Sequence, residues 1–252
     1  MSTYDDLPYY PFDPFEESPE HPLCPDCERL LSRAVSVIER LERELRRPRV
    51  PEKKDHERVL EWLASVCGGP AALARLDATP LTEEGLDLPV VEEAAPRQRL
   101  EAVADLLDGT AERFFDREAA LAFRRALLRV WGLEPLAVDG PRPAAQVAAG
   151  IAWAVGEANG LVGPKGLVTA TRLKQHFGVT RPPSAYAGPV VQALRGFWPW
   201  HAAPLWGVHG VPEITPLGYA DLLLSSTRAQ LVRLRDRAEA ARAADVPQEG
   251  SA

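Results

Sequence analysis

The stretch Ala144-Ala145-Gln146-Val147-Ala148-Ala149-Gly150-Ile151-Ala152-Trp153-Ala154-Val155-Gly156-Glu157-Ala158-Asn159-Gly160 decides the fold class of this chain. Its seventeen residues carry one charge, Glu157. Pro143 stands where the first turn of a helix begins, and Gly160 where a C-terminal cap belongs. A helix without a polar face is buried on all sides. Most of its side chains are small, which lets neighbouring helices approach closely, and Trp153 supplies the bulk. The segment is too short and too rich in small residues to span a bilayer, which needs ~20 apolar positions. The pattern therefore predicts an all-α orthogonal bundle, with amphipathic helices wrapped around one buried Ala/Gly-rich helix.

The flanking sequence supplies the wrapping helices. From Cys27 to Arg47, Leu31, Ala34, Ile38, Leu41 and Leu45 alternate at spacings of three and four, which predicts an amphipathic helix ended by Pro48. A second helix is predicted over Pro51 to Cys67, stopped by Gly68-Gly69-Pro70, and a short one over Ala71 to Leu76. Helices then resume over Arg97 to Asp108 and Thr110 to Trp131, and Gly132, Pro135, Gly140, Pro141 and Pro143 read as a loop. Leu217, Leu224, Leu231 and Ala238 recur every seven residues, which predicts a long helix from about Pro216 to Ala244. Its seam matches that of the Leu31 to Leu45 helix, so the two are expected to pair within one chain, favouring a monomer over a zipper dimer. Only Leu205 to Ile214 resembles a strand. The boundaries that follow are an acidic, aromatic, Pro-rich tail over 1–26, a helical hairpin over 27–76, an acidic linker over 77–96, a helical domain over 97–212, a C-terminal helix over 213–245 and a disordered end over 246–252.

Charge is unevenly spread. The chain of 252 residues has a net charge of −7, but residues 1–30 hold eight acids and one base, so the remainder sums to zero. Within it, Arg142 to Pro212 carries six bases against the single acid Glu157. This asymmetry predicts an acidic tail able to engage a protein partner, and a basic face. The three cysteines cannot build a disulfide framework, and Met1 to Asp6 has no signal-peptide character, so a cytoplasmic location is expected.

The bases cluster around a second informative segment, Thr169-Ala170-Thr171-Arg172-Leu173-Lys174-Gln175-His176-Phe177-Gly178-Val179-Thr180. A short helix with Ala170, Leu173 and Phe177 inward, a Gly in the turn, a β-branched plug and a hydroxyl at the next cap is the chemistry of a helix-turn-helix. The following helix, with Val190, Val191 and Leu194 inward, leaves Ser184, Tyr186, Gln192 and Arg195 outward. Together with Lys165, Arg172, Lys174 and Arg181 these are the candidate DNA-binding residues.

Gly150-Ile151-Ala152-Trp153-Ala154-Val155-Gly156 running to Asn159, followed by Leu173 and Phe177-Gly178-Val179-Thr180, resembles a family of uncharacterised bacterial proteins. Their domain looks like the cyclin-like helical core of transcription factor IIB, and the likeness covers residues 97 to 196. The resemblance implies a buried central helix and a DNA-binding helical pair, and no functional residue can be carried over. Pro182-Pro183 and Gly188-Pro189 interrupt the recognition helix, so either that helix starts near Pro189 or the unit does not read DNA.

Other motifs carry less. Cys24-Pro25-Asp26-Cys27 has the spacing of half a zinc knuckle, with His21 upstream and only His56 and Cys67 as further ligands; plain thiols at a helix start are the expectation, and no metal or cofactor is assigned. The aromatic run Phe197 to His209 reads as a hydrophobic plug. No nucleotide-binding, nucleophile-elbow or zinc-protease signature occurs, so no enzyme is expected. The function expected is a non-enzymatic, transcription-associated DNA-binding protein; the alternative is a helical protein-interaction module that touches no nucleic acid.

Overall fold

The low-charge segment folds as α7 (Ala144–Ala158), with Val147 to Gly156 and Ala158 all buried. The computed structural model describes residues 33–38, 53–195, 208 and 210–245. The chain divides into two units after Glu52. In the first, residues 33–38 form a helical stretch, α1, in which Val35, Val37 and Ile38 are exposed. The second unit contains α2 (Asp55–Cys67), α3 (Pro70–Ala74), α4 (Ala94–Phe114), α5 (Arg117–Leu133), α6 (Pro135–Asp139), α7, α8 (Ala170–Phe177), α9 (Ser184–Arg195), a 3-10 turn (Ala220–Leu222) and α10 (Ser225–Ala244). The protein is all-α; among the described residues the β structure amounts to one bridge, between Val162 and Val168.

Helix α7 is the hub, packing against α4, α5, α8 and α9. Its small residues act at two points. A Cβ on Gly150 would lie 2.5 Å from the Tyr186 carbonyl oxygen, and one on Gly156 would lie 2.7 Å from a Val162 methyl. At Gly150 the backbones of α7 and α9 touch, so this crossing sets the position of α9. The end of α7 is tied by Asn159, whose buried amide donates to the Val155 and Leu222 carbonyls and whose Oδ1 accepts from the Leu224 amide at 2.7 Å.

Several expected boundaries shift. The break expected at Asp108-Gly109 falls instead at Phe115-Asp116, where the Asp116 carboxylate accepts from the Ala119 amide and caps α5. Gly109 sits inside α4 because Leu107 and Ala111 are buried on either side; the ~1 kcal/mol cost of one Gly in a helix is outweighed by that burial. The loop expected after Gly132 contains α6, begun by Pro135 at its first turn. The strand expected near Leu205 to Ile214 does not form in its described residues, 208 and 210–214.

The C-terminal helix begins at Ser225, not near Pro216. Leu217 and Leu222 to Leu224 are buried in the irregular segment before it, so the seven-residue repeat crosses a turn as well as a helix. From Leu231 to Ala238 the seam is buried as expected, while Ala241, expected on the same seam, is exposed. Leu231, Leu234 and Ala238 are buried, and α10 packs on α2, which presents Val59, Trp62, Leu63 and Val66. The pairing expected with the Leu31 to Leu45 helix falls largely outside the described residues. Leu231→Asp is expected to cost about 4 kcal/mol, since it buries a carboxylate without a partner. Thermal unfolding should show the midpoint about 10 °C lower. A folded monomeric variant from a dimeric wild type in sedimentation would instead make the seam intermolecular.

Candidate nucleic-acid interface

The unit expected to be a helix-turn-helix forms locally as its sequence requires. The Thr169 hydroxyl accepts from the Arg172 amide and caps α8, Leu173 and Phe177 are buried, and Gly178 takes the left-handed conformation at φ 63°. Val179 plugs the core. Helix α9 then starts at Ser184 and holds Pro189 in its interior. Pro189 removes the amide that would bond to the Ala185 carbonyl; Ala185 is exposed, so water can take that place.

The candidate residues separate into three groups. Arg172, Arg181, Ser184 and Gln192 are exposed, Lys174 is half-buried, and all five belong to α8, the turn or the outer side of α9. Lys165 is also exposed but forms an ion pair with Glu213 at 2.9 Å, which offsets its charge. Tyr186 and Arg195 depart from the expectation. The Tyr186 ring is buried and its hydroxyl accepts the Arg181 amide, because Tyr186 lies on the turn of α9 that meets Gly150. Arg195 is half-buried and lines a cleft with Ala64, Ser65, Gly68 and Tyr219 at the end of α2; burial lowers its pKa. The outward side of α9 is thus Ser184, Ala185, Gly188 and Gln192, without a base.

The structure adds a residue to which the charge pattern does not point. Arg113, near the end of α4, has its guanidinium 5.6 Å from the centre of the Phe114 ring, and Arg172 of α8 lies at the same distance from the same ring. His176 stands edge-on to Phe114 at 5.0 Å. The Thr110 hydroxyl donates to the Leu106 carbonyl at 2.6 Å, so the His176 Nε2–H must be the donor in its 3.0 Å bond to Thr110. Burial, and then the charge of Arg113, lower the His176 pKa, which keeps the ring neutral near pH 7. Two cations thus share one aromatic platform beside a neutral imidazole. Among the described residues, no ion pair involves Arg113, Arg172, Lys174 or Arg181.

Elsewhere on α4 the charge reverses. A groove of about 880 Å³ between α4 and α5 is lined by Glu83, Asp87, Asp105, Asp108, Glu112 and Asp116, partly offset by Arg117 on Glu83 and Arg124 on Asp108. A third surface is apolar. Leu133, 53% exposed, and Leu136, 72% exposed, border a groove of about 560 Å³ with Pro141, Pro189 and Ala193.

Cys24, Cys27, the acidic tail and nearly all of the aromatic run lie outside the described residues. Cys67 is buried, which pushes its thiol up to about 11 and leaves it a poor ligand or nucleophile. No group of three or more metal-ligating side chains occurs among the described residues, and none of their helices is long and apolar enough to cross a membrane.

No protein-family model, curated protein or solved structure matches this chain.

Proposed function

We propose that this chain is a non-enzymatic DNA-binding protein that grips the duplex by its phosphates, using Arg113, Arg172, Lys174 and Arg181 at the α8 corner. The observation that carries this reading is the shared placement of Arg113 and Arg172 on the Phe114 ring, where neither guanidinium has an ion pair among the described residues. Cations without a carboxylate partner give a polyanion favourable sites to dock. The face of the Phe114 ring attracts both guanidiniums. Helix α9 adds Ser184 and Gln192 beside the corner, too few for base readout, so the binding proposed is largely independent of sequence. The acidic groove between α4 and α5 repels phosphate and fixes which side of the protein docks.

Retention on duplex DNA at two salt concentrations tests this reading. Affinity should fall steeply with salt, with a slope of about −0.9 per phosphate contacted. The double variant Arg172→Glu, Lys174→Glu should bind at least about tenfold more weakly, because two attractions become repulsions. Unchanged retention in that variant overturns the proposal.

The apolar groove of Leu133 and Leu136 favours a second reading, a helical protein-interaction module. Wild-type protein that ignores DNA even at low salt would favour that reading.

A further inference from the structure

Away from the α8 corner, the segment after α3 and the turn before α10 frame a groove of about 540 Å³ floored by α5 and α10. Four arginines line it, Arg75, Arg125, Arg129 and Arg228, against two carboxylates, Asp77 and Asp221. Both acids are already engaged. Asp221 pairs with Arg129, whose guanidinium also lies 4.1 Å from the centre of the Tyr219 ring. Asp77 accepts from the Thr79 amide at 2.9 Å and lies 3.5 Å from Arg228. Glu118, behind Arg228, accepts from the Leu81 amide and from the amide and hydroxyl of Ser225. Arg75 and Arg125 therefore have no carboxylate within ion-pair distance among the described residues.

Part of this cluster has a structural use. Arg125 donates to the Thr82 carbonyl at 2.7 Å and Arg228 to that of Thr79, which holds the Pro-punctuated segment 79–82 on the bundle. That use leaves Arg228 nine-tenths buried with its Nε unbonded. It does not account for Arg75, which is exposed, whose side chain forms no hydrogen bond within the described residues, and which lines the same concavity. Arg129 is taken by Asp221 and Arg228 by Asp77 and Glu118, which leaves the guanidiniums of Arg75 and Arg125 facing one cavity with no carboxylate partner among the described residues, a setting for a multiply charged anion. The planar fork of arginine can engage two oxygens of one phosphate group, and two such forks around one cavity suit an anion with several oxygens.

We propose that this groove binds a small phosphate-bearing anion, a phosphate monoester or diphosphate, with Arg75 and Arg125 as its principal cations and the free N–H groups of Arg129 completing the cradle. The site is separate from the α8 corner, so it stands or falls independently of duplex binding.

Calorimetric titration of the full chain with pyrophosphate at low ionic strength is the test. The expected result is saturable one-to-one binding that weakens about tenfold in Arg75→Ala and less in Arg75→Lys, which keeps the charge but not the fork. Arg75 has no structural bond to lose, so an unchanged melting temperature should accompany the loss. The corner variant Arg172→Glu, Lys174→Glu should bind pyrophosphate as the wild type does. Three results would overturn the proposal: no saturable heat in the wild type, equal affinity in Arg75→Ala, or affinity lost in the corner variant instead.

Discussion

Gly150→Val is expected to destabilise the protein by about 3 kcal/mol, lowering the melting temperature by roughly 6–12 °C. A Cβ at position 150 would stand 2.5 Å from the carbonyl oxygen of Tyr186 and 2.9 Å from its carbon. Both are backbone atoms, so no rotamer change relieves the overlap and α7 and α9 must part. Parting them disturbs Val190, Val191 and Leu194, which α9 buries, and shifts the Arg181 amide away from the Tyr186 hydroxyl. Gly150→Ala separates packing from propensity. Alanine favours a helix over glycine by ~1 kcal/mol, so a slack crossing would show a raised melting temperature. A lowered one is expected here. Gly109 is the internal reference: it is exposed in α4, and a Cβ added there would have nothing within 4 Å, so alanine meets no obstacle.

Glu118→Ala is expected to cost about 3 kcal/mol or more by a different route. The carboxylate sits near the start of α5 and joins three parts of the chain. It accepts from the Leu81 amide at 3.0 Å, from the Ser225 amide at 2.8 Å and the Ser225 hydroxyl at 2.7 Å, and lies 3.7 Å from the buried Arg228 guanidinium. Removing it leaves the Leu81 and Ser225 donors without this acceptor and takes one of two nearby carboxylates from the buried Arg228, which keeps Asp77 and the Thr79 carbonyl. Burial raises the Glu118 pKa, but the bonds from Ser225 and Leu81 and the charge of Arg228 together outweigh it and hold the group below its ordinary 4.5. The folded state therefore favours the ionised form. The stabilisation is complete above the ordinary carboxylate value and is lost as pH falls through the lower folded one. Urea unfolding of wild type and Glu118→Ala should differ most near neutrality, and the gap should narrow as pH falls below the ordinary carboxylate range. A gap that stays constant with pH would mean that the charge of Glu118 is not what stabilises the fold.

The two substitutions differ in how far the sequence foretells them. Gly150 stands in a segment whose composition already announces a buried helix with close neighbours, though not which neighbour or which turn. Nothing around Glu118 sets it apart from Glu112 or Glu134, because its partners lie 37 and 107 residues away. The α8 corner is intermediate. Arg172, Lys174 and Arg181 are visible as a local excess of charge, and the Gly178 turn forms as its residues require. Helical periodicity placed Tyr186 outward, yet the Gly150 crossing turns that side of α9 inward, and Arg195 follows the end of the helix into a cleft beside α2.

What the sequence determined by itself is what acts over one or two helical turns. The charge-poor run from Ala144 to Gly160 must be buried whatever surrounds it, Thr169 and Gly178 cap α8 through their own backbone neighbours, and the apolar spacing from Leu231 to Ala238 selects one face of α10. The tertiary structure alone decided which distant side chains converge: Arg113 with Arg172 on the Phe114 ring, and Arg75, Arg125, Arg129 and Arg228 around one groove. Capping and periodicity depend on contacts within a few residues. Convergence depends on how helices cross and rotate against one another, and contacts as particular as that of Gly150 with the Tyr186 carbonyl fix those angles.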